Sequence, residues 1–291
     1  MAKEANKNKT DMSKFLKMAS VTQKITLALL GLFLMLFLLL HGGINLCMLR
    51  SDGGEWFRAA AHFMGTNYIV KVFEVVLFAV FVLHILIGII LQIQNWRARP
   101  VGYKVSNKSR TQAGSKFMIY TGILVFIFLC LHMVNFYFVK LGIVEGKYMV
   151  ELKDTQYIDQ ASLLQDQDRL AQLNTMFTEM DSISGPQIKQ VADNISKADL
   201  TQVFGAGFTH YEPDFYNMAK ELFNNTAYLI IYLVLLLALG IHLIHAFPSA
   251  FHTLGMNGPR VDKPVKAIGA IYAVIIVLMF WAVAIGMNIL Y

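Results

Sequence analysis

Four histidines hold the chemistry open to this chain: His41, His84, His132 and His242, one inside each of four long apolar runs. Imidazole carries protons and is the commonest metal ligand, and an ionisable side chain at membrane depth is costly enough to be kept mainly for function. A lone histidine in such a helix often does no more than hydrogen-bond a carbonyl. Four of them, at comparable distances from the start of each run, form a set. Successive spanning helices run in opposite directions, so equal depth along the chain puts His41 and His132 near one bilayer face and His84 and His242 near the other.

Two pairs at two levels narrow the choice of metal. Zinc gathers its ligands around one point, whereas these levels are separated by on the order of 15 Å at 1.5 Å per residue. That spacing is the one expected of two bis-histidine haems, His41 with His132 and His84 with His242. Gly31 lies ten residues before His41 and Gly122 ten before His132, so each of these helices lacks a side chain at the level where the other haem should pass. Gly42, Gly43, Gly88 and Gly240 offer further room, although small residues also serve plain helix packing in membranes. With imidazole at both axial positions a haem iron keeps no open site for oxygen or substrate, and its use is one-electron transfer. The chain has no Cys-x-x-Cys-His attachment motif, so such haems would be b-type and held without a covalent bond. It also lacks a nucleotide-binding glycine loop, a cysteine set for an iron–sulfur cluster and a hydrolytic triad. Its redox chemistry must come from partners.

Other polar residues fall near this set. Glu74 precedes His84 by ten residues and sits near the level of His41 and His132. There it could relay the protons that a quinone exchanges along with its electrons, or simply pair with Lys71 or interfacial water. His245 is an alternative to His242 as the fourth ligand, with matched depth favouring His242. His252, at the end of the fourth run, could donate to a haem propionate or be an interfacial residue. His62 and His210 fall in outer loops. Arg97, Arg99, Lys104, Arg110 and Lys116 could meet propionates, dock a partner or only anchor the topology. Cys47 and Cys130 have no metal or disulfide spacing and are expected to be inert, buried small side chains.

The elements that position these residues follow from hydropathy. The 291 residues are 56% apolar with a mean hydropathy of +0.51, more apolar surface than a soluble fold can bury. Runs long enough to cross a core of roughly 30 Å, about 20 residues each, are read at about 22–48, 68–95, 116–140, 226–252 and 265–290. The first is too long for the apolar core of a signal peptide, follows a polar tail and meets no small-residue cleavage site, so it is expected to stay as a helix. Lys3, Lys7, Lys9, Lys14, Lys17 and Lys24 precede or open it, and Arg97, Arg99, Lys104, Lys108, Arg110 and Lys116 follow the second run with no acid among them. The positive-inside rule puts both segments in the cytoplasm, so the N-terminus is cytoplasmic and, after five helices, the C-terminus extra-cytoplasmic. The net charge of +6 is then one of membrane anchoring and gives no argument for nucleic-acid binding.

The segment at 141–225 holds thirteen acids against six Lys and Arg and lies outside. Within it Leu163, Leu164, Leu170, Leu173, Met176, Phe177 and Met180 recur at helical spacing. Ser184, Gly185 and Pro186 interrupt the pattern, and Ile188, Val191, Ile195 and Leu200 resume it. The expected fold is therefore all-α and transmembrane: a five-helix bundle with a di-haem four-helix core and an extra-cytoplasmic helical hairpin at about 145–210. The chain divides into 1–140 (tail and three spans), 141–225 (insertion) and 226–291 (two spans).

The apolar runs Gly31–His41, Phe78–His84, Cys130–His132 and Tyr232–His242, taken together over all five helices, resemble one known family. It is the five-helix, di-haem cytochrome b subunit that anchors bacterial succinate dehydrogenases and menaquinol:fumarate reductases. The resemblance implies that His41 and His132 ligate a distal haem b, and His84 and His242 a proximal haem b facing a cytoplasmic iron–sulfur subunit. That subunit in turn binds a flavoprotein with FAD and the dicarboxylate site, and dimers of such heterotrimers are a further expectation. Electrons would pass between succinate or fumarate and menaquinone across a bacterial cytoplasmic membrane. Two features depart from the family: the long insertion, and Gly240 where some fumarate-reducing members have a glutamate proposed to move compensating protons. The competing readings are the cytochrome b subunit of a quinone-linked hydrogenase or formate dehydrogenase, and a transporter or assembly protein without a cofactor.

Overall fold

The computed structural model describes residues 20–98, 113–152 and 208–290. It is mostly helical. Five helices are long and apolar enough to cross a bilayer: α1 (Ser20–Leu46), prolonged by a 3₁₀ turn at Cys47–Leu49, α3 (Tyr68–Ala98), α4 (Ala113–His132), α6 (Thr226–Thr253) and α7 (Asp262–Ile289). α4 continues through a π-helical turn at Met133–Tyr137 into Phe138–Lys140. Two shorter helices, α2 (Glu55–Thr66) and α5 (Phe215–Asn224), cover one end of the bundle. That end is the capped end, and the other, with the α6–α7 turn, the open end. Strands β1 (Tyr148–Leu152) and β2 (Phe208–Pro213) pair antiparallel at the capped end, with Tyr148 opposite Pro213 and an irregularity between Glu151 and Leu152.

These strands differ from the expected hairpin. The limits of the 145–210 insertion are extended and paired, because its first and last residues are rich in the aromatic and β-branched types that suit a pleated ladder. The apolar periodicity at 163–200 lies outside the described residues.

Three helix starts at the capped end, those of α3, α5 and α6, have side-chain caps, which satisfy amide groups that have no partner within the helix. Asn67 Oδ1 accepts from Ile69 N at 2.9 Å, Asn225 Oδ1 from Ala227 N at 3.0 Å and Asp214 Oδ1 from Asn217 N at 3.2 Å. The entry to α2 turns on Gly54 (φ 90°), where a Cβ would come within 2.6 Å of the Tyr216 ring. Only glycine gives both that backbone conformation and that approach.

Helices α1, α3, α4 and α6 go round a ring in which α3 packs on α1, α1 on α6 and α6 on α4, while α3 and α4 barely touch. Helix α7 lies outside the ring against α1 and α6. Two apolar clusters hold this arrangement. Met35, Leu236, Leu239, Leu243, Ala273 and Ile276 join α1, α6 and α7 at mid-depth, and Met48, Phe57, Tyr216, Phe223, Tyr232 and Met287 seat α2 and α5 on the capped end. Across the helices Tyr272 Oη donates to the Met35 carbonyl at 2.6 Å and Trp281 Nε1 to the Leu233 carbonyl at 3.1 Å. Such bonds matter where lipid gives no hydrophobic drive for helix association. Large apolar side chains of α3 on the face away from His84, among them Val75 and Val82, stay exposed, as a surface facing lipid requires.

Candidate functional site

Each helix of the ring contributes one of the four histidines, and α7, outside the ring, contributes none. Near the capped end the His41 and His132 rings face each other edge to face, 5.8 Å apart at 80°. Aromatic rings wall this pair: Phe37 stacks on His41 at 5.2 Å, Phe280 is 5.7 Å from His41, and Phe128 and Phe136 flank His132 at 5.8 and 5.1 Å. His41 Nε2 is 3.4 Å from Asn45 Nδ2, long for a hydrogen bond. The π-helical turn opens immediately after His132, and such turns are frequent at functional sites.

Toward the open end, His84 of α3 and His242 of α6 lie near enough to interact through charge. Gly31 of α1 sits against the His84 ring, where a Cβ would lie 3.6 Å from Cε1 and 4.0 Å from Nδ1. Gly122 of α4 sits against the His242 ring, where a Cβ would lie 3.7 Å from Cε1. Both glycines therefore stand beside the histidine pair of the other level. His84 Nδ1 is buried without a hydrogen-bond partner, an unmet polar group of the kind a ligand satisfies. His242 Nδ1 is 3.2 Å from Thr121 Oγ1.

The remaining glycines sort differently. A side chain at Gly42 would run into Met279, and one at Gly240 would stand 2.5 Å from Val277 Cγ2, both on α7. These two let α1 and α6 approach α7, so their role is helix packing and not room for a macrocycle. Gly43 and Gly88 have nothing within 4 Å.

Glu74 is paired across helices. Both of its carboxylate oxygens accept from Lys140 Nζ at 2.8 Å, the Tyr137 hydroxyl lies beside it, and the Tyr137 ring is tilted at 50° against Phe78, 4.7 Å away. The partner is Lys140, not the nearby Lys71. Sequence separation of 66 residues hid it.

His245 Nδ1 bonds the Ile241 carbonyl of its own helix at 2.8 Å, which ties the ring to α6. His252 Nε2 is 3.4 Å from Asp262 Oδ1 at the α6–α7 turn. His62 is in α2 and His210 in β2. Arg97 ends α3 and Lys116 lies in the first turns of α4, while Arg99, Lys104 and Arg110 lie outside the described residues. Cys47 is half-buried and Cys130 exposed on α4, so Cys130 is not the buried side chain expected. Among the described residues no three His, Cys, Asp or Glu side chains converge on one point, and the imidazoles stay grouped as pairs.

Sequence reasoning missed several polar residues here: Thr121, Lys140, Tyr137, and Asn135, whose Nδ2 donates to Tyr232 Oη at 2.9 Å. It also missed Arg58, which clasps the buried Asp214 through Nε at 3.3 Å and Nη2 at 3.2 Å. Polar residues inside apolar runs were the one signal that could have found Thr121 and Asn135. No protein-family model, curated protein or solved structure matches this chain.

Proposed function

We propose that this chain is the membrane-anchoring di-haem cytochrome b subunit of a succinate dehydrogenase or menaquinol:fumarate reductase. One observation supports this above the others: the four imidazoles stand as two pairs at two depths of a four-helix ring, His41 with His132 and His84 with His242. The residues suit haem. Two imidazoles facing a ring interior could hold a haem iron, the absent side chains of Gly31 and Gly122 let the His84 and His242 rings lie close beside α1 and α4, and His84 Nδ1 is a buried polar atom without a hydrogen-bond partner. Two b-type haems held in this way would supply one-electron transfer between the membrane faces.

The chain's own residues would then do the following. His41 and His132 hold the haem nearer the capped end, His84 and His242 the one nearer the open end. The basic segment beyond α3 supports a cytoplasmic open end, where an iron–sulfur subunit and a flavoprotein with FAD and the dicarboxylate site would dock. Menaquinone would react near the capped end. Glu74, partly exposed beside Lys140, would exchange protons there, with Lys140 releasing the carboxylate as a proton arrives. In this reading the dicarboxylate site lies on the flavoprotein, and the chain acts as the electron-transfer subunit.

Pyridine haemochrome assay of the purified chain is expected to give two haems per polypeptide. In reduced-minus-oxidised spectra, His84→Ala and His242→Ala should remove one component, and His41→Ala and His132→Ala the other. A content near zero returns the histidines to structural roles. Loss of the same component from His41→Ala and His84→Ala refutes the pairing.

A further inference from the structure

We infer that Thr121 is a positioning residue for His242: its hydroxyl fixes the imidazole as the Nδ1–H tautomer and leaves Nε2 bare for the metal. The inference rests on the bis-imidazole reading above and adds a residue to it. A threonine hydroxyl has one proton and two lone pairs. Thr121 Oγ1 lies 3.0 Å from the Met118 carbonyl and 3.5 Å from that of Phe117, and carbonyls only accept, so the proton is committed to the preceding turn of α4. The contact of 3.2 Å between Oγ1 and His242 Nδ1 is then a hydrogen bond only if the ring nitrogen donates. The ring proton is then on Nδ1.

A neutral imidazole protonated at Nδ1 has its lone pair on Nε2, the form in which histidine binds metal while its other nitrogen donates to an outer partner. The next residue completes the seat. Gly122 has no Cβ, so the His242 ring comes to lie against the backbone of α4 beside the hydroxyl that orients it. His245, three residues on, is held by a carbonyl of α6 itself and has no such seat on a second helix. The pair nearer the open end is therefore asymmetric, with His242 anchored through Nδ1 and His84 Nδ1 without a hydrogen-bond partner.

The hydrogen bond raises the basicity of the ring and makes it a stronger ligand, which favours the oxidised metal. Two variants test this in the full chain: Thr121→Val, of nearly the same shape without the hydroxyl, and Thr121→Ser, which keeps it. In a redox titration followed by absorption, Thr121→Val should raise the midpoint potential of the component that His242→Ala abolishes and leave the other in place. Its haem should dissociate more readily, by about the 10–100-fold typical of a lost outer partner, and Thr121→Ser should restore both properties. Wild-type potential and retention in Thr121→Val, with both haems present, would overturn the inference. So would an equal shift of both components. If Thr121→Val fails to hold any haem, Thr121→Ser decides: wild-type behaviour upholds the role of the hydroxyl and loss of haem there refutes it. A wild-type chain without haem would instead overturn the bis-imidazole reading itself, before any variant is made.

Discussion

One added methyl group at each of four helix glycines separates those that lie beside the histidines from those that let helices touch. Glycine to alanine inside a helix stabilises by roughly 0.5–1 kcal/mol where nothing stands in the way. At Gly31 the new Cβ would meet only His84, at 3.6 and 4.0 Å, and at Gly122 only His242, at 3.7 Å. These are ordinary contacts, so Gly31→Ala and Gly122→Ala should gain about that amount in the protein without haem. At Gly240 the new Cβ would stand 2.5 Å from Val277 Cγ2, on a β-branched side chain with one favoured rotamer in a helix. Overpacking of about 1–3 kcal/mol then exceeds the gain, and the net is a loss of about 1–2 kcal/mol. At Gly42 the obstacle is the terminal methyl of Met279, a flexible side chain that can swing aside, and the two effects nearly cancel. Denaturant titration of the purified chain in detergent, followed by helical circular dichroism, should rank Gly31→Ala and Gly122→Ala highest, wild type and Gly42→Ala next, and Gly240→Ala lowest. Larger side chains should move a different property. On the di-haem proposal, Gly31→Leu and Gly122→Leu fill the space beside His84 and His242 and should lose the haem component assigned to that pair while keeping the other. A Gly240→Ala protein as stable as Gly31→Ala would refute the steric argument, and Gly31→Leu with both haems at wild-type level would refute the cradle.

Asp214→Ala removes both oxygens that hold Arg58 and the cap of α5. The expected loss of stability is about 2–3 kcal/mol, less than for a fully buried pair because Arg58 keeps some solvent, and an unchanged unfolding midpoint would show the clasp to be idle. Glu74→Gln keeps size and hydrogen bonding but removes the titratable proton, so turnover with a quinone should fall while haem content and dicarboxylate turnover with a soluble dye persist. Full quinone-linked turnover across the working pH range would make the Glu74–Lys140 pair purely structural.

The five spans were legible in the sequence because a bilayer core imposes one length and one polarity on every crossing segment, and α1, α3, α4, α6 and α7 begin and end close to the expected bounds. The two depths of the histidines were legible for the same reason, since a helix of known rise turns position along the chain into height. What height cannot supply is the direction in which a side chain points. Gly31, Gly42, Gly122 and Gly240 look alike in the sequence, yet rotation about the helix axes turns Gly31 and Gly122 toward His84 and His242, and Gly42 and Gly240 toward α7. Partners distant along the chain were equally hidden: Lys140 for Glu74, Thr121 for His242 and Asp214 for Arg58 meet only because packing brings the capped ends of α3 and α4 together, sets α4 against α6 and lays α2 beside α5. Hydropathy thus determined how many helices cross and how deep each polar residue sits, while only packing between helices decided which of those residues face one another.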